Sequence, residues 1–235
     1  MSLVKFSAIA CLSITTQLCC FTNATAAENV AREFKAIPKN SKIAIIPADI
    51  ELFSLSAGGI EEPRADWTQA ANQHFQKAII GKNLQLGFTP IVIKDDLVDE
   101  FAEVNSLHGA VAQAINLHHL GLNEYNLPTK EKQLNWSLGE AVKPIQEKTN
   151  ADYAIFTWVR DSYASPERKA AIVAMALLGV SIRGGIQAGY ASLVDLKTGQ
   201  ILWFNRMVNA SGDLREEDVA QKSVENLLDK FPVEK

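Results

Sequence analysis

The order of apolar runs predicts a mixed α/β fold: a single mixed β-sheet with parallel strands, closed by a C-terminal antiparallel hairpin, with helices packed on it. Three observations carry this. Short β-branched or aromatic runs near residues 43, 90 and 155 are separated by helical patterns, an arrangement that pairs strands in parallel. Two later runs, IQAGYASLVD and QILWFNRMV, are joined by only Leu196-Lys197-Thr198-Gly199, with Gly199 free to take positive φ, which is a hairpin signal. A last amphipathic stretch, ended by Pro232, places a helix after the hairpin.

The elements follow in order. After a polar lead-in over 27–40, the continuous apolar run Ile43, Ala44, Ile45, Ile46 reads as a strand buried on both faces and stopped by Pro47. ELFSLSAGGIEEPRAD reads as a long loop around Gly58, Gly59 and Pro63. Asp66 with Gln69 three residues on suits a helix start, and Trp67, Ala70, Ala71, Phe75, Ala78 and Ile79 form one face up to Gly81. Phe88 to Lys94 is the next strand.

From Leu97 to Leu120, steps of three and four through Phe101, Val104, His108, Val111, Ile115 and His118 predict one long helix stopped by Gly121. Ser137 and Glu140 suggest a capping box, with Pro144 kinking the helix that follows or postponing its start. Tyr153 to Val159 is the clearest strand, ending in Arg160-Asp161. The last helix is expected to be capped by Asp213 and Glu216 and to bury Val219, Val224, Leu227, Leu228 and Phe231.

The first 26 residues read as a cleaved signal peptide: Lys5, an apolar run from Phe6, then Ala24-Thr25-Ala26 as a small-x-small processing site. Of the 23 Lys and Arg only Lys5 falls there, and none of the 27 acids does, so the mature charge is −5. All three cysteines, Cys11, Cys19 and Cys20, lie within it, so the mature chain has no thiol with which to build a disulfide framework. Lipid attachment at Cys19 or Cys20 is disfavoured, because Leu18 or Cys19 stands where bacterial lipoprotein processing prefers a small residue. In a Gram-negative cell the signal means a periplasmic protein. Residues 41–235 are expected to form a single domain, and the acidic balance argues against nucleic acid as the partner.

RKAAIVAMALLGVSIRGG, residues 168–185, is the most apolar stretch outside the leader. Its eleven uncharged residues, Ala170 to Val180, would span about 16 Å as a helix, against about 30 Å for a hydrocarbon core, so it is no transmembrane span. It has no G-x-x-x-x-G-K-[ST] spacing and precedes a strand, so it is no phosphate loop. The expectation is a buried or half-buried helix crossing to the hairpin, with Gly184-Gly185 as its exit. The alternative is an apolar surface for a partner protein or a peripheral membrane contact.

Candidate chemistry is sparse. His108 and His118 lie about 15 Å apart along a helix, too far to share a metal, and His74 and His119 add no compact ligand set, so no metal and no cofactor is expected. Ser56 and Ser211 lie in small-residue surroundings without the strand-to-helix elbow of a nucleophilic serine. Position is more informative. If the strands at 43–48 and 153–159 are parallel neighbours, their C-terminal ends share the edge where open α/β sheets bind ligands, gathering Asp49, Glu61, Glu62, Arg64, Arg160 and Asp161. The plain reading of these six is a solvated rim; the sharper reading is a polar recognition surface.

VDLKTGQILWFN, with a strand ending in Val-Asp, a Thr-Gly turn and an apolar-x-Trp strand, resembles the late hairpin of small α/β envelope domains in the curli-secretion channel family and of TolB amino-terminal-like domains. NADYAIFTWVRD and SKIAIIPADI resemble their preceding and first strands. The resemblance implies a role in envelope assembly through binding of other proteins, but not pore formation, since the chain has no clear pair of amphipathic membrane hairpins. The sequence as a whole leads to the expectation of an exported, non-catalytic envelope protein with a protein partner. The rival is a small-ligand-binding protein or hydrolase working at the edge around Asp49, Glu61, Glu62, Arg160 and Asp161.

Overall fold

A computed structural model describes residues 29–210 and 212–234. The leader, its cysteines and its processing site lie outside the described residues, as does Ser211. The chain forms one seven-stranded mixed sheet with helices packed against it. The axis is β5 (Tyr153–Ala164), the aromatic and β-branched strand that the sequence marks most clearly. On one side, β5 pairs antiparallel with β6 (Gln187–Asp195), which pairs antiparallel with β7 (Ile201–Asn209). This is the predicted hairpin. Gly199 sits at φ +72°, where a side chain would also collide with the backbone of Gly139.

The other side of β5 is shared. β1 (Lys42–Ile45) pairs in parallel with its first residues and continues to β4 (Thr89–Val92), while β2 (Asp49–Leu55) pairs in parallel with its last seven. Ile45 faces Ile155 and Asp49 faces Trp158, so β1–β2 spends four residues where β5 spends three. The surplus residue is a bulge at Pro47, whose missing N–H could not join the ladder and whose carbonyl accepts from Asn105 Nδ2 at 3.2 Å.

β2 overturns the expected loop. Asp49-Ile50-Glu51-Leu52-Phe53-Ser54 alternates, burying Ile50, Leu52 and Ser54 while Asp49 and Glu51 face outward. A strand with one solvated face reads as polar until its period of two is counted. The chain then turns back through Gly58-Gly59 into β3 (Glu61–Pro63), antiparallel to β2. β5 likewise runs past Arg160-Asp161, because the sheet's two faces accept one charged residue each.

The two faces hold separate cores. Ile43, Ile45, Ile50, Leu52, Ile155, Val159, Leu193 and Met207 pack under α1 (Ala65–Gln85) and α6 (Glu217–Leu227). α1 overruns the expected stop at Gly81 by a turn and ends where Gly87 takes positive φ. Asp213 does not cap α6; it accepts from Arg215 instead, and the helix begins after Glu216. Ala44, Phe156, Tyr190, Val194 and Phe204 pack on the opposite face under α3 (Ala102–His118) and α4 (Lys143–Thr149).

The single long helix expected from Leu97 is divided into α2 (Asp95–Val98) and α3, so that Phe101 turns inward at the break. Pro144 postpones α4: a 3-10 turn over Gly139–Val142 precedes it. The lead-in is packed too. Asn29 to Ala31 borders β7, and Ile37 is buried beside Val233.

α5 (Pro166–Leu177) is the helix expected between β5 and the hairpin, but it is covered less than the first expectation held and is closer to the alternative of an apolar surface. It is a well-formed helix: Ser165 Oγ accepts from the Arg168 N–H at 3.2 Å, and Pro166 opens the first turn. It is not buried. Only Arg168 is enclosed; Ala171, Ile172 and Met175 are half-covered, and Val173, Leu177 and Leu178 stand 64%, 85% and 76% exposed. The exit at Gly185 passes so close to the carbonyl of Ser162 that no other residue fits. This tight return holds the segment across the end of the sheet, with nothing on its outer side among the described residues.

Candidate functional site

The parallel pairing of β1 and β2 with β5 brings part of the predicted edge together. Arg160, half-buried, bonds Asp49 through Nη1 at 2.8 Å and approaches Glu51 through Nε at 3.3 Å, and its Nη1 also donates to the Asp49 carbonyl at 2.9 Å. Its guanidinium lies 4.7 Å over the ring of Trp158, which stacks on Tyr190 at 5.0 Å and 6°. Strand pairing explains the ladder: Asp49, Trp158, Tyr190 and Arg206 are successive cross-strand partners on β2, β5, β6 and β7. Burial, then the charge of Asp49, pushes the Tyr190 hydroxyl up to about 12. That hydroxyl has no hydrogen-bond partner among the described residues.

The other predicted residues lie elsewhere. Asp161 follows Arg160 and therefore points to the opposite face, where it is buried. It accepts from Tyr163 Oη and from Gln187 Nε2 at 2.8 Å. Gln187 Oε1 in turn accepts from Ser223 at 3.0 Å and from Asn209 at 3.2 Å, and Tyr163 Oη accepts from the Leu214 N–H at 2.8 Å. Burial pushes the Asp161 carboxyl above the usual carboxylate range, opposed by these hydrogen bonds. Burial, then Asp161 itself, also pushes Tyr163 up. The network ties β5, β6 and α6 together.

Arg64 pairs with Asp66 at 2.9 Å, and its guanidinium and that of Arg215 both lie over the Trp67 ring, at 4.3 and 4.4 Å. Glu61 and Glu62 are exposed on β3. Glu61, opposite Leu55, shares the Asp49 face; Glu62, opposite Ser54, does not. Among the six, only Asp49 and Arg160 touch.

Sequence reasoning missed Glu51, Trp158, Tyr190 and Arg206. The signal for Trp158 and Arg160 was there in their spacing of two, which puts them on one face. Between this ladder and the C-terminal half of α3 runs an open groove of about 440 Å³, lined by Asn116, Leu117, Trp158, Tyr190, Arg206 and Val208 among others. A smaller cavity, about 160 Å³, lies at the Pro47 bulge beside Thr157 and the α1 carboxamides of Asn72 and Gln76.

The histidines are engaged locally. His108 is buried, stacked on Phe156 at 4.6 Å and 2.8 Å from Ser192 Oγ; burial pushes its pKa down to about 3. His118 Nδ1 lies 2.7 Å from the Tyr125 carbonyl, and His74 Nδ1 lies 3.3 Å from that of Leu214. No helix among the described residues is long and apolar enough to cross a membrane.

No family model matches the chain, and no curated protein matches it. Similar solved structures include the PelC dodecamer from Paraburkholderia phytofirmans, at 10% identity and TM-score 0.41 over 85% of this chain and 93% of that one. Lipoprotein GNA1162 from Neisseria meningitidis aligns at 12% identity and TM-score 0.32 over 73% and 81% of the two chains. The LpoB C-terminal domain from Escherichia coli aligns at 12% and TM-score 0.32 over 77% and 88%. At these scores the likenesses assign neither family nor activity, and the roles of surfaces must come from the chain's own residues.

Proposed function

We propose that this chain is an exported cell-envelope protein that works as a protein-binding or assembly module, with α5 as its principal contact. The observation that carries the reading is the outer side of α5: Val173, Leu177 and Leu178 exposed on a helix that is capped, tethered and regular. Arg168 roots it, donating from Nε to the Arg183 carbonyl at 3.0 Å and from Nη1 to the Ser56 carbonyl at 3.2 Å. An apolar surface held so firmly in water is a docking feature rather than an uncollapsed core.

The occupant is a protein groove, because from Ala170 to its end at Leu177 the helix carries no polar residue, its charges being confined to the first turn at Glu167, Arg168 and Lys169. A helix lying in a bilayer interface needs a strongly polar, commonly cationic, outer side, and twelve residues reach only about 18 Å, short of a span. A groove encloses such a helix on several sides. The rival small-ligand site is less well supported, since Arg160 already has its charge matched by Asp49 and Glu51.

The test is a photoreactive side chain placed at position 177 or, as control, at 225 on the outer face of α6, in the full chain expressed in its own cells. A discrete protein adduct from 177 but not from 225 is the expected outcome. Adducts to lipid alone, or equal yields from both positions, contradict it.

A further inference from the structure

We propose that the free end of the β7 edge receives an extended acidic segment of a partner protein as an added strand. β7 pairs with β6 on one side, and its other side is the border of the sheet. The first part of that border is already occupied: Ala31 N–H donates to the Leu202 carbonyl at 2.9 Å, and Phe204 N–H donates to the Asn29 carbonyl at 3.0 Å. These bonds fix the polarity of the edge. The backbone groups of residues 202 and 204 point outward, so by the alternation of an antiparallel ladder those of Arg206 and Val208 do too. Beyond Asn29, no described residue meets them.

Sheet borders are commonly blunted by a charge, a proline, a bulge or a covering loop, and beyond Arg206 itself this stretch shows none of these among the described residues. Its side chains point to specific chemistry. Arg206 is exposed with no carboxylate partner among the described residues, in a chain whose formal charge is −4. Val208 is 66% exposed and, with Leu117, forms an apolar wall of the groove beside it. Both project to the α3 face, so an added strand would set an acidic residue beside Arg206 and an apolar one beside Val208, two positions apart. Backbone pairing supplies affinity in such an addition, and these alternate side chains supply selectivity. The site stands apart from α5 and holds whether or not α5 docks a protein.

The probe is the blocked peptide acetyl-Thr-Val-Thr-Glu-Thr-amide, titrated into the full mature chain and followed by NMR amide exchange. The expected result is new protection of the Arg206 and Val208 amides, at least several-fold, and weaker binding when lysine replaces the peptide's glutamate. Val208→Pro deletes an outward N–H without breaking the bond pattern to β6; it should weaken binding tenfold or more while the melting temperature confirms an intact fold. Arg206→Glu should reverse the preference toward the lysine peptide. Absent binding, binding indifferent to Val208→Pro, or binding indifferent to charge overturns the proposal. So does protection of both amides in the protein alone, which would mean that this chain or a second copy already covers the edge.

Discussion

α6 and α5 are helices of similar length that use apolar residues in opposite ways. α6 turns Ala220, Val224 and Leu227 into the sheet and presents Glu217, Gln221 and Glu225 to water, the division that makes a helix part of a core. α5 gives its body-facing stripe to Arg168, Ala171, Ile172 and Met175 and leaves Val173 and Leu177 outside. Apolar content is therefore no guide to which helix holds the fold together. What separates them is the sheet beneath: α6 lies along strands, while α5 crosses past their ends.

The sharpest way to break this comparison is to truncate one leucine on each helix. Leu227→Ala removes a fully buried side chain and should cost about 3 kcal/mol in chemical unfolding. Leu177→Ser should change stability by no more than about 0.5 kcal/mol. Similar losses at both would make α5 a core element.

The same contrast of covered against uncovered groups extends to pH. His108 is neutral when folded, with its pKa lowered by burial from 6.5 to about 3. A depressed folded value means that its stabilisation is complete above pH 6.5 and declines as pH falls toward 3, by up to about 1.4 kcal/mol per pH unit. His108→Gln should flatten this acid limb in urea melts at stepped pH; an unchanged limb would place the acid sensitivity elsewhere.

Asp161 and Arg160 are neighbours on β5 that sharpen the comparison at single-residue scale. Asp161 has its folded pKa raised by burial, so its carboxyl stabilises most below the unfolded carboxylate pKa and loses that contribution as pH rises through the folded value. Asp161→Asn should therefore melt progressively higher relative to the native chain as pH climbs through the carboxylate range. A difference constant with pH would refute the burial account. Arg160→Ala, on the open face, should cost about 1 kcal/mol or less at low salt and less still at high salt.

Much of the architecture was legible because it rests on local patterns. Tyr153 to Val159 announces a central strand, Thr198-Gly199 a hairpin, and Pro144 a delayed helix. β2 was hidden because Asp49 and Glu51 belong to the sheet face that α3 leaves open, so its alternation looked like loop polarity. The predicted edge was half legible: parallel pairing did bring Asp49 to Arg160, but strand alternation sent Asp161 to the other face, and the β2–β3 hairpin carried Glu61, Glu62 and Arg64 away. Whether α5 is covered was not legible at all, since coverage depends on where the sheet ends rather than on the helix's own residues.

The most direct test of α5 as a docking helix compares the native chain with a Val173→Ser, Leu177→Ser, Leu178→Ser variant by thermal melting, alone and with the protein captured by the photoreactive residue at position 177. The account predicts equal melting alone and a rise on adding the partner for the native chain only, because a ligand stabilises only the form that binds it. A variant that melts several degrees lower by itself would contradict it, showing that the outer side of α5 belongs to the core.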